Sequence, residues 1–146
     1  MITPDVVVLL FGGRRPPRPL AGLRVAAADG PDDIDAAAAR CRRLIVVGSD
    51  ADLAAVLTRL LRTDRLGVEV GHANGWWSAR RARRGVARRV PLIRDDAGRA
   101  IVGSAEWRGE GGAPLRGEAV VDDTVLFDGE VAGVRVEPIL VMPGLR

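Results

Sequence analysis

Residues 44–62, LIVVGSDADLAAVLTRLLR, join a short apolar run to a longer periodic one. The run from Leu44 to Val47 is continuous, which predicts a strand buried on both faces of a sheet. Gly48-Ser49-Asp50 predicts a tight turn. The apolar side chains that follow recur at the spacing of one helical face, namely Leu53, Val56, Leu57, Leu60 and Leu61. The stretch therefore predicts a buried strand, a turn and an amphipathic helix over 51–62.

The upstream and downstream segments repeat this alternation. Residues 6–11, VVVLLF, predict a second buried strand, and residues 23–28 a third. A helix is predicted over 31–43, because acidic residues stand in its first turn and arginines in its last. Residues 66–70 predict a fourth strand. Alternating strands and helices favour a parallel sheet with right-handed crossovers, in which we expect 44–47 to be central and parallel to 6–11.

The character of the chain changes after residue 70. Residues 71–89 contain two adjacent tryptophans and six arginines, which predict a loop followed by a short basic helix. Turn signals then separate short β-rich runs, and hairpins are predicted at 95–98, at Asp122-Asp123 and at Asp128-Gly129. The predicted fold is α/β, with an N-terminal βαβ lobe and mainly parallel sheet over 1–89, followed by a small antiparallel β lobe over 90–146.

The composition excludes several classes of enzyme. Lysine is absent and all 22 basic residues are arginines, so neither a Walker-loop lysine nor a Schiff-base lysine is available. The single histidine, His72, excludes the two-histidine zinc helix of metalloproteases. The single cysteine, Cys41, excludes an internal disulfide and predicts an inert, partly buried thiol, although the neighbouring arginines favour a lowered pKa. No apolar run is long enough to span a bilayer and no basic leader is evident, so we expect a cytoplasmic location.

The turn at Gly48, Ser49 and Asp50 is the first candidate site. It would place ligand-binding groups at the carboxyl end of a strand and at a helix N-terminus, where anions bind readily. The alternative is that Ser49 or Asp50 only caps the helix. His72 and Asn74 are further candidates, because both are predicted to follow the fourth strand; a hydrogen-bonded structural histidine is the alternative there.

These segments resemble the diacylglycerol/lipid kinase and NAD kinase superfamily. That family carries a strand, a Gly-Gly-Asp-Gly-Thr loop and an apolar helix, similar to residues 44–57 here. Gly71-His72-Ala73-Asn74 resembles the family's Gly-Thr-x-Asn loop. Residues 127–138, with Phe127-Asp128-Gly129-Glu130, resemble the Asp-Gly-Glu strand pair of its β lobe.

The resemblance implies a shrunken and degenerate relative. In the nucleotide loop only Gly48 and Asp50 keep the family identity. Ser49 and Ala51 replace glycines that allow the backbone to approach phosphates, and Asp52 replaces a threonine with a carboxylate that repels phosphate. The resemblance therefore implies no catalytic residue and no cofactor, whereas an active kinase would need ATP and Mg²⁺.

The arginine cluster is the second candidate site. Arg80, Arg81, Arg83 and Arg84 lie beside Trp76 and Trp77, and we expect them to form an exposed anion-binding face, because a helix spreads four such residues around its axis. The net charge is only +3, so the positive patch is local. The alternative is a solvated helical face whose arginine stems cover the tryptophans.

The sequence leaves three functions open. The leading one is a non-catalytic, lipid-kinase-like module that binds a phosphate-bearing small molecule or an acidic protein. The second is an active kinase that completes its site in a homo-oligomer, such as a homodimer. The third is a small nucleic-acid-binding protein, in which the arginines contact phosphates and the tryptophans stack on bases.

Overall fold

Four parallel strands and three helices form the N-terminal part of the chain. The computed structural model describes residues 5–139. The strands are β1 Val6–Leu10, β2 Arg24–Ala27, β3 Arg43–Val47 and β4 Glu69–Ala73, and the helices are α1 Pro31–Ala38, α2 Asp50–Arg62 and α3 Trp76–Arg84. A 3-10 turn, Arg18–Leu20, lies between β1 and β2. Within the described residues no helix is long and apolar enough to cross a membrane.

The sheet has the strand order β2-β1-β3-β4, and every pair in it is parallel. The expectation that β3 is central and parallel to β1 is confirmed. The direction of the connections reverses between β1 and β3, because β1 leads to β2 on one side and β3 leads to β4 on the other. Ligands of open α/β sheets bind at such a reversal, outside the carboxyl ends of the strands.

Both faces of the sheet are covered, which explains why Val6–Leu10 and residues 44–47 are apolar. On one face Leu44 and Val46 pack with Val56 and Leu60 of α2 and with residues of α1. On the other face Val8, Ile45 and Val47 pack with Leu20 of the 3-10 turn and Ala79 of α3. The second core places the 3-10 turn and α3 beside each other on this face of the sheet.

Two predicted element boundaries are wrong. The helix predicted over 31–43 ends at Ala38, because Arg43 belongs to β3 and the Arg42 and Arg43 amides donate to the Asp5 carbonyl. The strand predicted at 66–70 is β4, three residues later. The chain first makes a turn that uses a positive φ at Asp64, and the ladder begins where the Glu69 amide donates to the Arg42 carbonyl.

The C-terminal part is antiparallel. Its strands are β5 Ala105–Trp107, β6 Leu115–Val121, β7 Thr124–Val131 and β8 Val134–Val136, which pair as β5-β8 and β6-β7. A mixed α/β fold of the predicted kind is therefore confirmed. The hairpin at Asp122-Asp123 is confirmed as well, with positive φ at both residues, as a type I′ turn requires.

Of the two other predicted hairpins, one is wrong and one is confirmed in part. Asp128-Gly129 is not a turn, because both residues lie inside β7 opposite Glu118 and Gly117, and β7 continues to Val131. The residues after Gly129 are therefore divided between β7 and β8, which begins at Val134. At 95–98 the predicted turn is present, since the Gly98 amide donates to the Asp95 carbonyl, but the flanking residues pair through one antiparallel bridge, between Arg94 and Ala100, and not as two strands.

Candidate functional site

Ser49 is the N-cap of α2, and Asp52 completes a reciprocal capping box with it. The Ser49 hydroxyl accepts a hydrogen bond from the Asp52 amide at 3.2 Å. The Asp52 carboxylate in turn accepts from the Ser49 amide at 2.8 Å and from the Ser49 hydroxyl at 3.0 Å. The capping role weighed for Ser49 is therefore present, and the chain's own carboxylate lies at the N-terminus of α2.

Gly48 allows this carboxylate to approach the backbone. A Cβ at Gly48 would stand 2.5 Å from Asp52 Oδ2, closer than atoms approach without displacement. Arg14, from the loop after β1, contacts the same oxygen at 3.3 Å. The N-terminus of α2 is therefore occupied by an internal anion, and an external phosphate would meet a negative charge there.

His72 and Asp50 lie beside each other, where β4 meets the turn after β3. His72 is inside β4, not after it as predicted, and its Nε2 donates to the Gly48 carbonyl at 2.9 Å. Its Nδ1 lies 3.9 Å from Asp50 Oδ1. The histidine thus connects β4 to the turn after β3, as expected for the hydrogen-bonded structural histidine that was the alternative to a ligand-binding one.

Asn74 follows β4 as predicted and helps to start α3. Its side-chain carbonyl accepts from the Ser78 hydroxyl at 2.9 Å, and the Asn74 and Gly75 amides donate to that hydroxyl at 3.0 Å each. Ser78 therefore satisfies amides at the start of α3 without a carboxylate. Unlike α2, α3 has no acidic residue in its first turn.

An open cavity of about 520 Å³, here called the strand-end crevice, lies at the reversal of strand order. It includes Gly48, Ser49 and Asn74 from the candidate set, whereas Asp50 and His72 line other cavities. The remaining lining comes from the β1–β2 loop and from the start of α3: Arg14, Arg15, Pro17, Val47, Ala73, Gly75 and Trp76.

The four arginines of α3 are exposed, and the structure divides them between two sides of the helix. Arg80, Arg83 and Arg84 share one side, at the i, i+3, i+4 spacing of neighbours on a helix. Arg81 instead faces a smaller cavity of about 260 Å³ beside His72. The predicted single face of four arginines is therefore a face of three.

A second open cavity, here called the helix groove, lies between α3 and the 3-10 turn. Its volume is about 440 Å³, and its lining consists of Arg18, Pro19, Ala21, Trp76, Arg80, Arg83 and Arg84, with no carboxylate among them. Trp76 lines both this groove and the strand-end crevice, so the two cavities adjoin at its side chain.

Each arginine of the groove has a different local role. Arg83 Nη1 donates to the Pro19 carbonyl at 2.7 Å and to the Ala21 carbonyl at 3.2 Å, which fastens the β1–β2 loop to α3. The Arg80 guanidinium lies 5.7 Å from the centre of the Trp76 ring, in a cation–π arrangement. Arg83 is therefore partly structural, whereas Arg80 and Arg84 are better placed to meet a ligand.

Arg14, Arg15 and Arg18 were not among the residues selected from the sequence. Their loop contains three prolines, which disfavour regular structure. It follows the first buried strand, and the carboxyl end of that strand adjoins the strand-order reversal. Three arginines in a loop at that position are therefore a sequence signal for an anion-binding site.

Cys41 and Asp95 are two further ionisable groups whose surroundings shift their pKa. Burial raises the pKa of the Cys41 thiol, and the Asp5 carboxylate raises it further, so the neighbouring arginines do not activate it. The Asp95 carboxylate accepts from the Arg99 amide at 2.8 Å, which lowers the pKa of Asp95 and stabilises the local turn. Within residues 5–139 no group of three or more His, Cys, Asp or Glu is arranged to hold a metal ion.

Comparison of the chain with models of known protein families, with curated proteins and with solved structures finds no match. The assignment of function therefore depends on the geometry of the two adjoining cavities.

Proposed function

We propose that this protein is a non-catalytic binding module for a phosphate-bearing ligand, which it holds at the helix groove and the adjoining strand-end crevice. The observation that carries the proposal is the lining of the helix groove: four arginines, from the 3-10 turn and from α3, with no carboxylate among the lining residues. Arginine guanidinium groups match the geometry of phosphate and bind it through two parallel hydrogen bonds.

Electrostatics support an external anion at this position. Clustered guanidinium groups repel one another, and Arg80, Arg83 and Arg84 lie within about one helical turn. Their ion-pair partners are not supplied locally, because the chain has no acidic residue between Glu69 and Asp95. A bound phosphate would relieve this repulsion, and the local positive patch would attract it from solution.

The arrangement around α2 supports binding without phosphoryl transfer. A kinase of the kind suggested by the sequence would hold nucleotide phosphates at the turn of Gly48 and Ser49. The Asp52 carboxylate already accepts from the Ser49 amide and hydroxyl and would repel a phosphate there, so phosphates would be held by the arginines instead. The proposal does not depend on kinship with lipid kinases, which stays a prediction, as does a kinase completed by a second copy.

Titration calorimetry with pyrophosphate and with ATP tests the proposal. We expect both to bind the unmodified protein, and Arg80→Gln/Arg84→Gln to weaken binding by about tenfold or more, since each lost contact removes a charge-assisted hydrogen bond. The matched control is Arg40→Gln/Arg94→Gln, which removes the same charge from exposed residues outside both cavities.

Two results would overturn the proposal. Equal weakening in the control would mean that only net charge matters. ATP turnover that disappears in Asp50→Ala would mean that the protein is an active kinase. An acidic protein as the ligand is tested in the same assay with polyglutamate, which should bind more weakly than a polyphosphate of equal charge.

A further inference from the structure

We infer that the phosphate-bearing ligand is a single-stranded nucleic acid, whose phosphates follow the helix groove and whose bases stack on the tryptophans at the start of α3. The inference rests on the proposed function and names its ligand class. It is carried by three features of the surface: the shape of the cavities, the exposure of Trp76 and Trp77, and the distribution of the arginines.

The two cavities are open grooves and not enclosed pockets. A small-molecule site typically surrounds most of its ligand, with 70–90% of the ligand surface buried. An open groove gives a small ligand few contacts, whereas a polymer gains contacts along its length. The helix groove and the strand-end crevice adjoin at Trp76, and together they offer a longer path than either cavity alone.

Trp76 lies at the junction of the two cavities, and Trp77, in contact with it, extends the stacking surface outward. Trp77 is 75% exposed and Trp76 is 45% exposed. Their rings are 4.6 Å apart between centres and nearly perpendicular, at 86°. Bases of a single strand have free faces that stack on such rings, whereas bases in a duplex are already stacked on one another. The exposed indoles therefore favour a single strand over a duplex.

The arginines are distributed along the path rather than gathered at one point. Arg80 and Arg84 are four residues apart, which is about 6 Å along the helix axis. Arg18 lines the opposite wall of the helix groove, and Arg14 and Arg15 line the strand-end crevice. A chain of phosphates can contact such a series in succession, whereas one phosphate group reaches only part of it.

Fluorescence anisotropy with labelled 12-nucleotide single-stranded RNA and DNA tests the inference and shows which of the two nucleic acids binds more tightly. If the four arginines of the helix groove contact phosphates, the logarithm of affinity should fall with the logarithm of the salt concentration at a slope of about −2.8. The affinity should then fall about fiftyfold between 50 and 200 mM KCl. Arg80→Gln/Arg84→Gln should reduce the slope by about 1.4 and weaken binding about 25-fold at 0.1 M salt. Arg40→Gln/Arg94→Gln should leave both nearly unchanged.

A second variant tests stacking separately from charge. Trp77→Ala should weaken binding by about fivefold or more, Trp77→Phe should retain most of the affinity, and Trp77→Leu should resemble Trp77→Ala. Trp77 is mostly exposed, so these changes should leave thermal stability nearly unchanged. Equal affinities for all four proteins would contradict the stacking role and overturn the inference.

The remaining outcomes separate this inference from the proposed function. If pyrophosphate and ATP bind in an arginine-dependent manner but neither oligonucleotide binds more tightly than they do, the module binds small phosphates and the inference is wrong. If a duplex or polyglutamate of equal charge competes as well as the single strand, the inference is also wrong. If no phosphate-bearing probe binds, both the inference and the proposed function fail.

Discussion

Replacing Asp52 by alanine should strengthen phosphate binding while it weakens the fold. Asp52 accepts hydrogen bonds from Ser49 and contacts Arg14, so its carboxylate competes with any external anion for the same groups. One lost hydrogen bond contributes about 0.5–1.5 kcal/mol, and a lost favourable contact with the helix dipole about 0.3–1 kcal/mol. The free energy of unfolding should therefore fall by about 1–2 kcal/mol.

The expected gain in affinity comes from removing one negative charge beside the strand-end crevice. At about 8 Å from a bound phosphate and an effective dielectric constant of about 40, that charge costs about 1 kcal/mol, which corresponds to about a fivefold change in affinity. Release of Arg14 from its contact with Asp52 acts in the same direction. The gain should decrease at 0.5 M salt, where exposed charges are screened.

Asp33 provides a matched control. It occupies the third position of α1, and its carboxylate accepts from the Asp29 amide at 2.9 Å and the Gly30 amide at 3.1 Å. Asp33→Ala should lose similar stability in thermal unfolding, but pyrophosphate affinity in calorimetry should not change. If Asp52→Ala fails to bind more tightly, or if both variants gain equally, the competition between Asp52 and the ligand is refuted.

Three further substitutions test the fold that holds the site. Gly48→Ala forces a methyl group against the capping carboxylate of α2 and should cost about 1–3 kcal/mol in urea unfolding, whereas Gly67→Ala, with open space around it, should cost much less. Arg43→Ala should lower the free energy of unfolding by about 3 kcal/mol, because this mostly buried side chain pairs with Glu69 and donates to carbonyls at the end of α3. Arg42→Ala removes an exposed ion pair with the same glutamate and should lower it by less than about 1 kcal/mol. The hydrogen bond from the Arg59 guanidinium lowers the pKa of Asp35, so the stabilising contribution of this carboxylate is complete above the ordinary carboxyl pKa and is lost as the pH falls through the folded value. Asp35→Asn should therefore destabilise the protein at pH 7, and its effect in thermal unfolding should decrease as the pH is lowered below the ordinary carboxyl pKa.

The parallel sheet could be predicted because burial on both faces demands a distinctive sequence. Strands β1 and β3 are covered by helices on each side, and no polar residue is tolerated between Val7 and Leu9 or between Leu44 and Val47. The amphipathic period of α2 is equally direct, because one side of that helix packs on the sheet. The apolar pattern of these segments therefore indicates directly which of their faces are buried.

The C-terminal strands were predicted less well because their pairing depends on partners elsewhere in the chain. Asp128-Gly129 has the composition of a tight turn, yet Gly129 pairs with Gly117 inside the β6–β7 ladder, and its φ of 120° is one that glycine adopts freely. A register shift between Ala119 and Val120 adjusts the same ladder. Cross-strand pairing therefore overrides the local turn preference.

Only part of the candidate site could be predicted from the sequence. The cluster of α3 was evident because its arginines are adjacent along the chain. The helix groove also needs Arg18, which becomes its neighbour only when α3 packs beside the 3-10 turn. The hydrogen bond from Arg83 to the Pro19 carbonyl joins residues 64 positions apart, and local sequence patterns do not report contacts over that distance.

The three tryptophan indole N–H signals in a nitrogen–proton correlation spectrum offer the most direct test of the central claim. Trp76 lines both cavities and Trp77 contacts it, whereas Trp107 lies in β5 and serves as an internal reference. Assignment follows from single Trp→Phe variants. Titration with pyrophosphate should shift the Trp76 signal and leave that of Trp107 in place, and the shift should be lost in Arg80→Gln/Arg84→Gln. A shift of Trp107 with Trp76 unmoved, or no shift at saturating pyrophosphate, would contradict the account.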